Sequence, residues 1–225
     1  MCYYGALRAA AKILNDATVL EKAERLKKTI VEMSYNGTFF VDNALRENGK
    51  LQVTENISET CQNYAAFFEI FTKAENPAFY QRLINELGCF HREKYLEQVH
   101  ASNMFIGYIL RLSILLRERE YVAVLAECKQ RFADMANSTG TIWELFQTNA
   151  SCNHGFGSVV GQMIAYAMCG VVGVDERNKI VYVADCVAGA DCKASLPMLG
   201  GTAEICVQAG NRTIRLPNGY TLETV

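Results

Sequence analysis

Ser138-Thr139-Gly140-Thr141-Ile142-Trp143-Glu144-Leu145-Phe146 is followed, after a short polar linker, by Ser151-Cys152-Asn153-His154-Gly155-Phe156-Gly157-Ser158. An apolar run then ends at Met168-Cys169-Gly170. The chain's single tryptophan stands directly before a carboxylate. Sugar rings offer flat C–H faces that lie well on aromatic rings, and a glycosidic bond is broken by carboxyl groups placed on either side of it. Taken alone, Trp-Glu reads as a core side chain followed by a solvated charge. The histidine ten residues past Glu144, and the glycine-punctuated apolar helix behind it, change that balance.

Two upstream stretches extend the pattern. Ser102-Asn103-Met104-Phe105-Ile106-Gly107 leads into Tyr108-Ile109-Leu110-Arg111-Leu112, and Ser58-Glu59-Thr60-Cys61-Gln62-Asn63-Tyr64-Ala65 reads as an earlier loop and helix start. With these elements the chain resembles the bacterial α-L-rhamnosidases of glycoside hydrolase family 78. Those enzymes carry a Gly-Thr-Thr-x-Trp-Glu-like element and an Asn-His-x-x-x-Gly-Ser-like element that opens the last long helix of the catalytic domain. The resemblance runs over residues 1–170 and is most specific over 138–170.

The resemblance implies a mainly α fold, in which residues 1–170 form the C-terminal portion of an (α/α)6 six-hairpin toroid and residues 171–225 a small antiparallel β-rich domain. It also implies inverting hydrolysis of terminal α-L-rhamnosides with Glu144 as general base. His154 would bond a sugar hydroxyl, with Trp143 and Asn153 in the substrate-binding set. Trp143 is expected to pack beneath the Glu144 backbone, and Asn153 to cap the final helix. Glu59 and Gln62 lie where the family's earlier loop faces the sugar, although an acidic residue in a first helical turn accounts equally for Glu59.

An inverting glycosidase needs a protonated carboxyl for the leaving oxygen and an ionised one for water, roughly 6.5 to 9.5 Å apart. The family's general acid lies in an Asp-Arg-x-Glu-like motif that has no match here. Asp175-Glu176-Arg177 has the residue types in another order and reads as a surface turn. The isolated chain is therefore expected to be inactive. Two alternatives stay open: a non-catalytic half-toroid that binds carbohydrate or protein, and a different six-hairpin glycosidase. In the toroid reading, apolar stripes along a cut edge are expected to be covered by homodimerisation.

Composition sets the outer limits. At 225 residues, half hydrophobic and a tenth aromatic, the chain is able to bury a full core. A net charge of −2 with mixed signs leaves no basic stripe for nucleic acid. The run His91-Arg92-Glu93-Lys94 reads as a solvated face. The nine cysteines form no Cys-x-x-Cys pair and several sit at apolar helix positions, so they are expected to be reduced. No metal site or cofactor is expected, since the three histidines are scattered. The absence of an apolar run of membrane length, and of a basic leader, gives a cytoplasmic expectation with no membrane partner.

Periodicity locates seven helices. The first precedes residue 15. The second carries Leu20, Ala23, Leu26, Ile30 and Met33, with Thr18 and Glu21 as a capping box and Asn36-Gly37 as the stop. Further helices follow Ser58, Asn76-Pro77 and Ser102, then cover Tyr121 to Phe132 and Val159 to Ala167. Gly155, Gly157 and Gly161 suit close helix packing better than a phosphate cradle, because no strand precedes them and no lysine follows. Beyond Gly170, β-branched runs at 180–183, 203–207 and 213–216 read as strands, which places a boundary near residue 171.

Overall fold

A computed structural model describes residues 1–89, 97–102, 105–146, 150–187 and 189–225, without the Phe105 side chain. The charged run at 91–94 and the Asn103-Met104 pair lie outside the described residues. Among the described residues, seven helices run in order: α1 (Cys2–Leu14), α2 (Ala17–Ser34), α3 (Glu59–Phe67), α4 (Pro77–Asn85), α5 (Phe105–Arg117), α6 (Tyr121–Thr139) and α7 (Val159–Cys169). Eight strands accompany them: β1 (Ala44–Glu47), β2 (Lys50–Val53), β3 (Val171–Asp175), β4 (Ile180–Val183), β5 (Cys192–Met198), β6 (Gly201–Gln208), β7 (Asn211–Arg215) and β8 (Thr221–Thr224).

The described residues are mixed α/β, 45% helix and 22% strand with three small sheets, and this corrects the expected mainly α partial toroid with a small β segment. One reason lies between α2 and α3. Asn48 (φ 48°) and Gly49 (φ 79°) both take positive φ, the two-residue turn whose twist matches antiparallel strands, and it joins β1 to β2. The second reason is the C-terminal third, with sheets ordered β3-β4-β8 and β5-β6-β7. The β4–β8 pair is parallel, so that region is not purely antiparallel.

The chain divides into two compact units. The first comprises residues 1–114 and 143–151, the second residues 115–142 and 152–225.

In the first unit, local capping chemistry sets the helix starts. Asp16, not Thr18, caps α2, its carboxylate accepting from the backbone N–H of Thr18 at 2.8 Å and of Val19 at 3.4 Å. Ser58 caps α3 through Cys61 N, and Asn76 caps α4 through Phe79 N with Pro77 in the first turn. The core collects Tyr4, Ala23, Phe40, Ala65, Ile70, Phe79 and Leu83. Tyr35, Phe40, Phe71 and Phe79 meet at ring-centroid distances of 4.9 to 6.5 Å, mostly tilted or edge-on, the arrangement that ring quadrupoles favour.

In the second unit α7 stops at Gly170 (φ 68°), and the chain turns into β3. Cys169, Val171, Val181, Val183, Ile205 and Tyr220 form the core there. At one edge the Glu176 carboxylate, in the turn between β3 and β4, accepts from the Tyr220 hydroxyl and from Leu199 N, and the same hydroxyl lies 3.1 Å from Leu199 O. The bond to Glu176 pushes the Tyr220 phenol up to about 12, with burial adding to the rise.

A raised phenol pKa stabilises the fold below the unfolded value of about 10, and that contribution is lost as pH rises from there through the folded value. Tyr220→Phe is therefore expected to melt below wild type at neutral pH. The difference should shrink to nothing across that alkaline window, which paired melting curves would measure.

Candidate functional site

The Thr-Gly-Thr segment acquires its shape from local chemistry. Gly140 (φ 71°) ends α6 in the left-handed conformation, with nothing near the position a Cβ would take. The Thr139 hydroxyl lies 3.1 Å from Met135 O and 2.6 Å from the Thr141 hydroxyl, and Thr141 donates in turn to Cys152 O. His154 N donates to Ile142 O at 2.9 Å, and Ile142 packs against buried Gly157. The segment bearing His154 is thus held by one backbone bond and one threonine side-chain bond to the stretch just past α6, within the second unit.

His154 precedes a 3₁₀ turn, Gly155–Ser158, that runs directly into α7. Its half-buried imidazole stacks on Phe156 at 5.3 Å with 27° between the ring planes. Phe156 is 59% exposed. An aromatic ring offered to solvent beside an imidazole was not singled out by the sequence. Asn153 is exposed and stands ahead of both cap positions, which are occupied by His154 for the 3₁₀ turn and Ser158 for α7. It is not the helix cap expected. Gly157 does serve close packing, whereas Gly155 and Gly161 face open space.

Trp143 and Glu144 belong to the first unit. Both are half-buried, and Glu144 N donates to Ser151 O at 2.8 Å, closing the short loop whose residues 147–149 are not described. Phe146 packs edge-on against buried Tyr108 of α5 at 5.5 Å. The loop is therefore pinned on both sides of the Glu144 side chain, by a backbone bond and by a ring contact.

Glu59 and Gln62 are not exposed toward any ligand. Glu59 is 1% exposed, and its carboxylate accepts from Gly88 N at 3.0 Å and Ser102 N at 2.9 Å. Gln62 clasps Phe40, accepting from its N–H and donating to its carbonyl, both at 2.8 Å, and also donates to Ser58 O. Their work is to join α3 to neighbouring loops. α3 and α5 approach closely at Gly107, where a Cβ would come within 2.6 Å of Ser102 Oγ and 2.7 Å of Thr60 Oγ1. The two hydroxyls bond each other, and Asn63 donates to Gly107 O.

Asp175 ends β3, immediately before the turn. Its carboxylate accepts from Asn178 N at 2.9 Å, Asn178 Nδ2 at 2.7 Å and Arg177 N at 3.0 Å, and the Asn178 bonds chiefly hold it below the usual carboxylate range. A carboxyl held ionised in this way is unsuited to donating a proton. Among the described residues, no group of three or more His, Cys, Asp or Glu side chains is placed to hold a metal ion. No described helix is long and apolar enough to cross a membrane.

No protein-family profile matches this chain, and no curated protein matches it in sequence. In structure, it is similar to the GH78 family rhamnosidase of Bacillus sp. GL1, solved at 1.9 Å, with a TM-score of 0.77 at 16% identity. That likeness covers 99% of this chain and 25% of the other, so the chain spans about a quarter of the length of the solved structure it matches. At that identity the likeness is one of fold alone.

Proposed function

We propose that this chain carries the C-terminal part of a glycosidase site acting on terminal α-L-rhamnosides, with Glu144 as general base. The observation that supports this most is the likeness of the whole chain to part of a GH78 rhamnosidase. It adds to the Trp143-Glu144 and Asn153-His154 elements, each of which is held at its backbone. In this reading Glu144 takes a proton from water as the water attacks the anomeric carbon, and configuration inverts. His154 bonds a ring hydroxyl, since an imidazole both donates and accepts. The exposed face of Phe156 packs on the C–H face of the sugar, Trp143 supports the Glu144 loop, and Asn153 borders the ligand. The general acid comes from another stretch of polypeptide.

The test is turnover of an aryl α-L-rhamnoside by the purified 225-residue chain. General acid catalysis typically contributes on the order of 10² to 10⁴ in rate, so without it the chain should be no faster than its Glu144→Gln variant. L-Rhamnose binding, followed by titration calorimetry, should nonetheless weaken roughly 2- to 10-fold in Phe156→Ala, the range of one aromatic contact. Clear wild-type turnover that vanishes in Glu144→Gln would place an unrecognised acid within these residues. Binding indifferent to both His154 and Phe156 would remove the sugar site from this segment.

A further inference from the structure

Cys169 is the last residue of α7 and Cys192 the first of β5, and their sulfurs lie 3.4 Å apart within the second unit. Neither backbone is free to drift. The carbonyl of Cys169 accepts from Arg212 at 3.1 Å, the same guanidinium donates to Ala184 O, and Gly170 N closes the helix onto Tyr166 O. Cys192 is in register with Val207 of β6, and its thiol also reaches Met168 O at 3.6 Å. Small hydrophobes would fill this corner equally well if packing were all it required. The two sulfurs are in contact at 3.4 Å, on backbones fixed by hydrogen bonds, within about 1.4 Å of the roughly 2.05 Å separation of a disulfide.

We propose that Cys169 and Cys192 are a disulfide-forming pair, oxidised by a hydroperoxide, that staples the C-terminal end of α7 to β5. Cys192 is partly exposed and receives the oxidant, while Cys169 is only 3% exposed. The Cys192 sulfur attacks the peroxide oxygen, giving Cys192–SOH and releasing an alcohol, or water from hydrogen peroxide. The Cys169 sulfur then attacks the sulfenic sulfur, the S–S bond forms, and hydroxide leaves to become water with the Cys169 proton. Two thiols are oxidised by two electrons and one peroxide bond is reduced.

Burial, followed by the contact with Cys192, pushes the Cys169 thiol up to about 12. The second step should therefore accelerate with rising pH as its thiolate fraction grows. A dithiol reductant reverses the whole sequence. The other end of α7 follows the His154 turn directly, so the staple anchors the helix that carries this segment.

The experiment treats the 225-residue chain with hydrogen peroxide in mildly alkaline buffer, alkylates the remaining thiols and maps the peptides by mass spectrometry. The expected result is a Cys169–Cys192 linked peptide, two hydrogens lighter than its parts and restored by dithiothreitol. It should form faster at higher pH, be absent from Cys192→Ala and persist in Cys186→Ser, which removes the third thiol electrostatically coupled to Cys169. The linked form should melt several degrees higher, because the bridge joins residues 23 positions apart in the chain. Recovery of Cys169 alkylated while Cys192 is oxidised to a sulfinic acid, or of Cys169 linked to Cys186 instead, overturns the assignment.

Discussion

Replacing Glu59 with alanine is expected to cost about 3–5 kcal/mol of folding stability without any ligand present, more than any change to the sugar-facing residues proposed above. The carboxylate is 1% exposed and each of its oxygens holds one backbone N–H, Gly88 at 3.0 Å and Ser102 at 2.9 Å. Alanine leaves both donors buried and unpaired, at about 1–3 kcal/mol each, and adds a cavity that the packed starts of α3 and α5 have little freedom to close. Glu59→Gln keeps one acceptor and sets an N–H against the other donor, so a loss of about half that size should follow. Urea denaturation, comparing midpoints at constant slope, would measure both. A loss below about 1 kcal/mol for Glu59→Ala would show that the loops re-bond elsewhere and that the carboxylate is available for another role.

Glu59 also illustrates what sequence reading reaches and where it stops. Its place in a helical first turn was legible, because Ser58 and the apolar spacing of α3 are local signals. Its partners are 29 and 43 residues away, and no pattern near Glu59 encodes them. The same division runs through the fold. Asn76-Pro77 and Gly170 mark helix ends by short-range chemistry, so those ends were legible, whereas α6 runs seven residues past Phe132 to a stop at Gly140 that its apolar spacing did not mark.

The capping residue of α2 was misplaced by two positions because Asp16 and Thr18 are both competent caps, and only Asp16 has extended backbone. β1, β2 and β8 are only four residues each and exposed along their whole length, so even the alternation of Lys50-Leu51-Gln52-Val53 and the Asn48-Gly49 turn stand against no buried face that would single them out. β5 does alternate, but Pro197 disguised it. A proline is tolerated there because β5 is an edge strand of its sheet. At the candidate site, Trp143-Glu144 and Asn153-His154 were visible as residue types in order, whereas the exposed ring of Phe156 depends on how a 3₁₀ turn points it.

Gly170→Ala should be the other severe substitution, and the reason can be isolated by a second glycine. Gly140 and Gly170 both end helices at nearly the same left-handed φ, 71° and 68°. Adding a Cβ in that conformation costs about 1–2 kcal/mol by itself. At Gly140 there is no atom within 4 Å of the new carbon, so Gly140→Ala should lose about that amount and no more. At Gly170 the new carbon meets the Arg212 guanidinium and comes within 2.5 Å of Ala184 O and 2.9 Å of Asp185 O. Those two are backbone atoms, and the Ala184 N–H is itself bonded to Gly170 O at 2.8 Å, so they cannot retreat without breaking the turn from α7 into β3. Moving Arg212 instead gives up its bonds to Cys169 O and Ala184 O. Either route adds roughly 2–3 kcal/mol to the conformational cost, for a total of about 3–5 kcal/mol. Denaturation of the two variants side by side, followed by far-ultraviolet circular dichroism, would check it. Equal losses at both glycines would mean that the α7–β3 turn yields to a methyl group, and that the backbone around Cys169 is not held as rigidly as the disulfide proposal requires.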